Sequence, residues 1–243
     1  MANKQYKENE IIEMCAKAME EPQFFYNQKF VNYRGFCSDS KIRYTELVAS
    51  YLINHFQDFE NGFNNKKIQR KSSYNVKHNG EFNPKSNRTE EIIAMKMFNS
   101  SNNDQSFAKI GKILNYQIPL KNKQTDKAGK IDLVAYDENV HVLRILELKE
   151  QNSNETMLRC VLEAYTYLRI VDKEKLRKDF DLPEKTDIKA CPFVFENGVQ
   201  YDEYKDPKYA NLRELMKKLD STPIFLRATG LCNTRIDTTF TIV

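Results

Sequence analysis

Glycine motifs for nucleotide binding are absent from this chain. Its seven glycines include no G-x-G-x-x-G pattern. The two Gly-Lys pairs, at Gly111 and Gly129, are each followed by isoleucine instead of serine or threonine, and Ser106 and Gln124 occupy the positions of the first Walker A glycine. Such motifs need these glycines because the backbone must approach the phosphates closely. The sequence therefore predicts no nucleotide cradle.

Histidine is scarce and cysteine is unpatterned. The three histidines are too widely spaced for an H-E-x-x-H zinc motif. The cysteines are odd in number and form no C-x-x-C pair, which argues against a disulfide framework and a zinc ribbon; they are Cys15, Cys37, Cys160, Cys191 and Cys232. Reduced thiols of this kind favour a cytoplasmic compartment.

Long apolar runs are also missing. No uncharged segment approaches the roughly 18 residues that a membrane span needs, and no apolar stretch follows the first seven residues, so we expect neither a membrane span nor a signal peptide. The composition, 40% hydrophobic and 30% charged, is typical of a folded globular protein.

Positive charge is concentrated in one polar segment. Between Gly62 and Arg88 there are seven cations and one anion, although the whole chain carries only +4. This distribution predicts a phosphate-contacting loop, and a solvated flexible loop is an equal interpretation. The cations proposed to bind nucleic acid are Lys66, Lys67, Arg70, Lys71 and, next to the strands described below, Lys130, with Lys121, Lys123 and Lys127 nearby.

Apolar periodicity predicts an alternating order of helices and strands. Helices are expected over 6–20, 43–58, Thr89–Phe98 and Glu155–Val171, with a fifth beginning at Asp206-Pro207. Strands are expected over Lys112–Leu120, Lys130–Tyr136, His141–Lys149, Cys191–Phe195 (turning at Asn197-Gly198), Pro223–Arg227 and Thr238–Val243, and 60–87 is expected to be a loop.

Ionisable residues interrupt the two most apolar strands, and three of them fall near the same end. Asp132 enters the first of these strands, and Glu147 and Lys149 end the second. Side chains alternate along a strand, so Glu147 and Lys149 share a face, and a turn at residues 137–139 brings Asp132 to the same end. Burying charge is costly unless the charge is paired or binds an ion. An ion pair on an exposed edge strand, contributing ~0–1 kcal/mol, is the simpler alternative.

The element order helix, strand, strand, strand, helix, strand, with an Asp in the second strand and Glu-x-Lys ending the third, resembles the PD-(D/E)XK nuclease superfamily over about residues 88–196. The resemblance implies an α/β fold with a restriction-endonuclease-like central mixed sheet flanked by helices (an αβββαβ core). Residues 1–85 would form an N-terminal helical extension with the basic loop, and 86–243 the nuclease-like domain. Ile131 replaces the signature proline, and Val161 replaces the glutamine of the recombination-type branch.

The resemblance also implies a site. Asp132, Glu147, the Leu148 carbonyl and an acid on the preceding helix, Glu91 with Glu90 as its rival, would bind Mg²⁺ or Mn²⁺. Lys149 would orient the attacking water, and Gln151 would extend the site along the strand.

We therefore expect a Mg²⁺-dependent endonuclease that hydrolyses DNA, with RNA as an alternative substrate. A homodimer would cut both strands of a duplex more easily, but the sequence carries no signal of an interface. An inactive nucleic-acid-binding module on the same fold is the first alternative. The second is a protein-interaction or toxin-neutralising subunit that acts through residues 1–60.

Overall fold

A computed structural model describes residues 5–78, 81, 88–103, 106–121, 129–229 and 239–243. The helices are α1 Glu8–Ala18, α2 Tyr44–Asn54, α3 Phe56–Gly62, α4 Thr89–Asn102, α5 Met157–Ile170, α6 Lys173–Asp179, α7 Val199–Lys205 and α8 Ala210–Lys218, with a 3-10 helix at Pro22–Asn27. The strands are β1 Lys112–Pro119, β2 Lys130–Asp137, β3 Val142–Lys149, β4 Asp187–Phe195, β5 Ile224–Thr229 and β6 Thr239–Ile242.

The strands form one mixed six-stranded sheet in the order β1-β2-β3-β4-β5-β6. Strands β1 to β3 are antiparallel to one another, β3 to β5 are parallel, and β6 is antiparallel to β5. A parallel pair needs a crossover connection, and α5 with α6 provides it between β3 and β4. The mixed α/β class and the α4-β1-β2-β3-α5-β4 order are thus present.

Helices cover both faces of this sheet. On one face, Ile93 and Met97 of α4 pack with Leu146 and Leu148 of β3. On the other face, Leu143 and Ile145 of β3 pack with the apolar side of α5 and with the N-terminal helices in a continuous core. Strand β3 is therefore buried on both sides, which explains why its sequence is apolar except at Arg144, Glu147 and Lys149.

The N-terminal helices dock on two later helices. Glu46 of α2 accepts hydrogen bonds from the backbone N–H groups of Asn211 (2.9 Å) and Leu212 (3.0 Å), where its negative charge caps the start of α8. On α3, Glu60 accepts a hydrogen bond from the Tyr165 hydroxyl of α5. Residues 5–63 thus share the core of the sheet, and the expected boundary at residue 85 lies outside the described residues.

Several boundaries differ from those expected. The helix expected over 43–58 breaks at His55, whose backbone leaves the helical region (φ −112°, ψ 29°), so α3 starts a new direction. The helix expected from Asp206-Pro207 begins later, at Ala210, because Asp206 and Pro207 form a turn whose carbonyls accept hydrogen bonds from the Arg213 guanidinium. The short helices α6 and α7 were not predicted, and α7 follows the expected turn at Asn197-Gly198 directly.

The structure bears on two expectations, the lack of a membrane span and the lack of disulfides, and only for the residues that it describes. None of the helices in these ranges combines the length and the apolarity needed to cross a membrane. The cysteines at 15, 37, 160 and 191 are free and buried. Cys232 lies outside the described residues, as do the cations Lys85, Lys123 and Lys127.

Candidate functional site

The hairpin of β2 and β3 brings Asp132, Glu147 and Lys149 to one end of the sheet. The hairpin ladder runs from Asp137 opposite Val142 to Leu133 opposite Leu146, which places Asp132 beside Glu147. Glu147 and Lys149 lie on the α5 side of β3, whereas Leu146 and Leu148 pack into the opposite core. The three groups line one cavity of about 590 Å³.

This cavity carries an excess of negative charge. Four cations line it: Arg88, Lys130, Lys149 and Arg159. Seven acids also line it: Glu90, Glu91, Asp132, Glu147, Glu150, Glu155 and Glu163. If all were ionised the lining would be three charges negative. Partly buried like charges repel one another strongly, so the cavity favours protons or a cation.

Lys149 is the central cation of the site. Its Nζ lies 2.7 Å from Glu147 Oε1, 3.0 Å from Glu155 Oε2 and 3.4 Å from Glu163 Oε2. Burial alone would lower the pKa of Lys149, but the carboxylates of Glu147 and Glu163 outweigh it and raise that pKa well above its usual value. Lys149 therefore stays protonated and offsets part of the carboxylate charge.

Glu147 has one oxygen with a donor and one without. Its Oε1 accepts the hydrogen bond from Lys149, while its Oε2 is buried and has no partner among the described residues. Burial, together with the nearby charges of Asp132 and Glu163, raises the pKa of Glu147 well above its usual value. A buried carboxylate oxygen without a donor is costly, and a proton or a metal ion would satisfy it.

Asp132 is held by two neutral donors. Its Oδ1 accepts a hydrogen bond from the Gln117 side-chain amide (2.9 Å), and its Oδ2 accepts one from the Leu148 backbone N–H (3.0 Å). Gln117 has a left-handed backbone (φ 47°) within β1, a conformation that non-glycine residues rarely adopt. Burial raises the pKa of Asp132 to about 7 even though Lys149 opposes the shift.

The two acids on α4 differ in their surroundings. Both line the cavity, but Glu90 Oε1 accepts a hydrogen bond from the Glu150 backbone N–H just past the end of β3 (3.2 Å). Burial raises the pKa of Glu90, and Lys149 opposes that shift. Glu91 instead pairs with Arg88 at 3.2 Å, and its side chain is more exposed. The arrangement favours Glu90, the rival of the expected Glu91.

Gln151 does not extend the site. Strand β3 ends at Lys149, and Gln151 lies exposed in the turn that follows, away from the lining of the cavity. The turn leads to Thr156, whose side chain accepts a hydrogen bond from the Arg159 N–H and caps α5. The prediction that Gln151 continues the strand face is therefore wrong.

The basic residues proposed to bind nucleic acid separate into two groups. Lys130 lines the cavity, whereas Lys66, Lys67, Arg70 and Lys71 do not. The Arg70 guanidinium donates hydrogen bonds to the carbonyls of Ser73 (3.2 Å) and Lys121 (2.5 Å), so it links its own segment to the chain that follows β1.

A polar stripe that begins at Glu155, just before the N-cap Thr156, and continues along α5 was not predicted from the sequence. Glu155, Arg159, Glu163 and Tyr167 follow one another at intervals of four residues and all line the cavity. The Tyr167 hydroxyl donates a hydrogen bond to Glu163 Oε1 (2.9 Å) and so orients this carboxylate towards Lys149. Gly129 approaches so closely that a Cβ there would lie 2.1 Å from the Tyr167 hydroxyl. The i, i+4 spacing of polar residues within an otherwise apolar helix is the signal that would have found this stripe.

Comparisons with known proteins assign no family. No family model matches the chain, and neither curated proteins nor solved structures give a significant match. Within the described ranges, no three His, Cys, Asp or Glu side chains are grouped so that they could hold a metal ion. Lys149 lies among the carboxylates of Glu147, Glu155 and Glu163, and its ammonium group supplies the positive charge there.

Proposed function

We propose that this protein is a metal-dependent nuclease of the PD-(D/E)XK type that hydrolyses phosphodiester bonds of DNA. The observation that carries the proposal is the convergence of Asp132, Glu147 and Lys149 in one cavity at the end of the β2–β3 hairpin, with Glu147 Oε2 buried and without a donor in the described part of the chain. The α4-β1-β2-β3-α5-β4 order and the mixed sheet support a restriction-endonuclease-like fold.

The charge of the cavity supports a divalent ion. A lining that is net negative repels a phosphodiester, and a bound Mg²⁺ or Mn²⁺ offsets this repulsion. The oxygens of Asp132, Glu147 and the Leu148 carbonyl, with Glu90 from α4, fit such an ion in chemical type, and Glu147 Oε2 accepts no hydrogen bond from any residue that the structure describes. When bound, the metal would polarise the phosphate and lower the pKa of an attacking water.

The other residues have roles that follow from their contacts. Gln117 and the Leu148 N–H fix both oxygens of Asp132. Glu155 and Glu163 hold the Lys149 ammonium group inside the cavity, where it stabilises negative charge that develops on the phosphoryl group. Arg88 and Lys130, which also line the cavity, contact phosphates of the substrate.

A second candidate is the nucleic-acid-binding module without turnover. The present arrangement favours it in one respect, because no three metal-ligand side chains of the described residues are grouped for coordination. Titration calorimetry with Mn²⁺ separates the two candidates. A nuclease binds the ion, and an inactive relative shows little affinity for it.

Incubation with supercoiled plasmid tests the nuclease. We expect nicked or linear DNA with Mn²⁺ and intact plasmid with EDTA, and we expect Asp132→Asn to abolish cutting. Asp137→Asn is the matched control, because Asp137 is a carboxylate at the other end of the same strand. Parallel reactions with RNA decide the substrate. Undiminished Mn²⁺-dependent cutting by Asp132→Asn would refute the proposed site.

A further inference from the structure

A second cavity lies next to the candidate active cavity. It has a volume of about 410 Å³, and the side chain of Arg159 lines both cavities. On the active side, Arg159 Nε lies 3.1 Å from Glu155 Oε1. The remaining lining comes from the N-terminal region: Tyr6 before α1, the end of the 3-10 helix, the segment after it and the start of α2. The two cavities therefore share a wall made by one cationic side chain.

The lining of this second cavity combines three kinds of group. Four aromatic side chains form it, among them Tyr33 and Tyr44, whose ring centroids are 4.6 Å apart. Asn27 adds an exposed amide, and Lys29 adds an exposed ammonium group for which no pairing occurs within the described part of the chain. Aromatic faces stack on bases, amides read their polar edges, and cations contact phosphates.

Tyr44 has a structural role in this cavity, whereas Tyr33 and Lys29 remain accessible to a ligand. Tyr44 is buried, and its hydroxyl is engaged with the backbone of Tyr6, so it forms the floor. Tyr33 is only half-buried, and its hydroxyl accepts a hydrogen bond from the exposed Gln5 side chain. Lys29 lines the same cavity, and its side chain is exposed and takes no part in the apolar core. The cavity is thus open, aromatic and positively charged at its edge.

We propose that this second cavity receives an unpaired nucleobase of the strand whose phosphodiester lies in the active cavity. The inference rests on the proposed function and names its substrate class, a nucleic acid with single-stranded character. Bases inside a duplex are stacked and paired, so they cannot enter an aromatic pocket without being extruded. A base in a single strand stacks on Tyr33, while Lys29 and Arg159 contact the phosphates on either side of it.

Binding to a short single-stranded DNA tests this inference without relying on cleavage. The probe carries 2-aminopurine at one position at a time, and the full chain carries Asp132→Asn so that the strand remains intact. We expect the fluorescence to fall at one position through stacking on an aromatic ring. Tyr33→Leu should abolish this quench and weaken binding roughly ten-fold, whereas Tyr33→Phe, which keeps the ring, should preserve both.

A charge reversal provides a test that does not depend on the packing of Tyr33. Lys29→Glu should weaken binding of the single strand, whereas Lys217→Glu, at an exposed lysine on α8, should not. Equal affinity for single-stranded DNA and its duplex, or wild-type binding by both Tyr33→Leu and Lys29→Glu, would overturn the inference.

If the wild-type chain never cuts DNA but binding depends on Tyr33, the nuclease proposal fails and the base-binding cavity stands. If the chain cuts and the cavity variants bind normally, the reverse holds.

Discussion

Lys149 Nζ lies 2.7 Å from Glu147 Oε1, two residues earlier on the same strand, and both side chains are almost completely removed from solvent (6% and 4% exposed). Neighbours at this spacing share one face of a strand, so the pair is fixed by the backbone of β3. Desolvating both charges is costly, and the cost is offset only while both partners remain. The ion pair therefore links the stability of the protein to the chemistry of the cavity.

Removing Lys149 should destabilise the protein in a pH-dependent way. Lys149→Met leaves the carboxylates of Glu147, Glu155 and Glu163 without their shared cation, and we expect a loss of about 3 kcal/mol in the free energy of unfolding at pH 8. The loss should become smaller as the pH falls to 5, because the raised pKa of Glu147 favours its protonation and a neutral carboxyl does not need the cation. Urea unfolding at both pH values measures the difference.

Lys189→Met is the control for this substitution. Lys189 pairs at 2.9 Å with Asp220, whose side chain is 76% exposed, so its loss should change the free energy of unfolding by less than about 1 kcal/mol. Equal losses for the two lysines would show that burial does not determine the cost.

Asp132 should make the metal-free protein less stable as the pH rises. Its pKa is raised from 3.8 to about 7 in the folded state, so between these values the folded state binds more protons than the unfolded state. Stability from this group is therefore present at low pH and lost as the pH rises towards 7. Asp132→Asn removes this effect. The free energy of unfolding of the variant, relative to that of the wild type, should therefore rise with pH by at most about 1.4 kcal/mol per pH unit.

Urea unfolding in EDTA across pH 4 to 8 measures this slope, with Asp137→Asn as the reference variant. Burial also raises the pKa of Glu203 to about 7. Because Glu203 is present in all three proteins, its contribution cancels from the comparison. A stability difference between Asp132→Asn and wild type that is independent of pH would contradict the raised pKa.

Mn²⁺ should stabilise the wild-type chain more at pH 8 than at pH 6. The carboxyl groups of Asp132 and Glu147 must lose their protons before they can bind the ion, and both have raised pKa values. At a metal concentration of about one hundred times Kd, the gain should be near 2.7 kcal/mol. Thermal unfolding with Mn²⁺ or EDTA measures it, and an identical gain in Asp132→Asn would place the ion elsewhere.

Glu60 should couple the N-terminal helices to α5. Arg169 Nη1 lies 2.5 Å from Glu60 Oε2, and both side chains are partly exposed (28% and 21%). A double-mutant cycle with Glu60→Gln and Arg169→Met should therefore give a coupling of about 1 kcal/mol. The more exposed pair of Arg227 and Glu196 serves as the comparison and should give less. Zero coupling for the first pair would show that it does not hold α3 on α5.

Much of the fold could be predicted because the strands carry strong local patterns. Strand β1 ends at Pro119 and β3 at Lys149, as expected from proline and from the end of the apolar run. The break at His55 and the short helices α6 and α7 could not be predicted. They depend on tertiary packing, which local propensity does not contain.

Some residues of the candidate site could likewise be predicted from local pattern, and others could not. Asp132, Glu147 and Lys149 come from neighbouring strands, so alternation and one turn were enough to predict that they meet. The choice between Glu90 and Glu91 depends on the rotation of α4 about its axis, and adjacent residues in a first helical turn give no signal for that. Glu163 belongs to a different helix, and only the crossover from β3 to β4 brings it to Lys149.

The β2–β3 hairpin has a consequence for how the molecule reaches its final state. Asp132, Glu147 and Lys149 lie within one short loop closure, whereas Glu90 and Glu163 reach them only when α4 and α5 dock on opposite faces of the sheet. Local contacts form at the smallest entropic cost, so we expect the hairpin to assemble first, while water still surrounds its charges. The two helices then close over groups that are already paired, and dehydration of the site becomes a late event in folding.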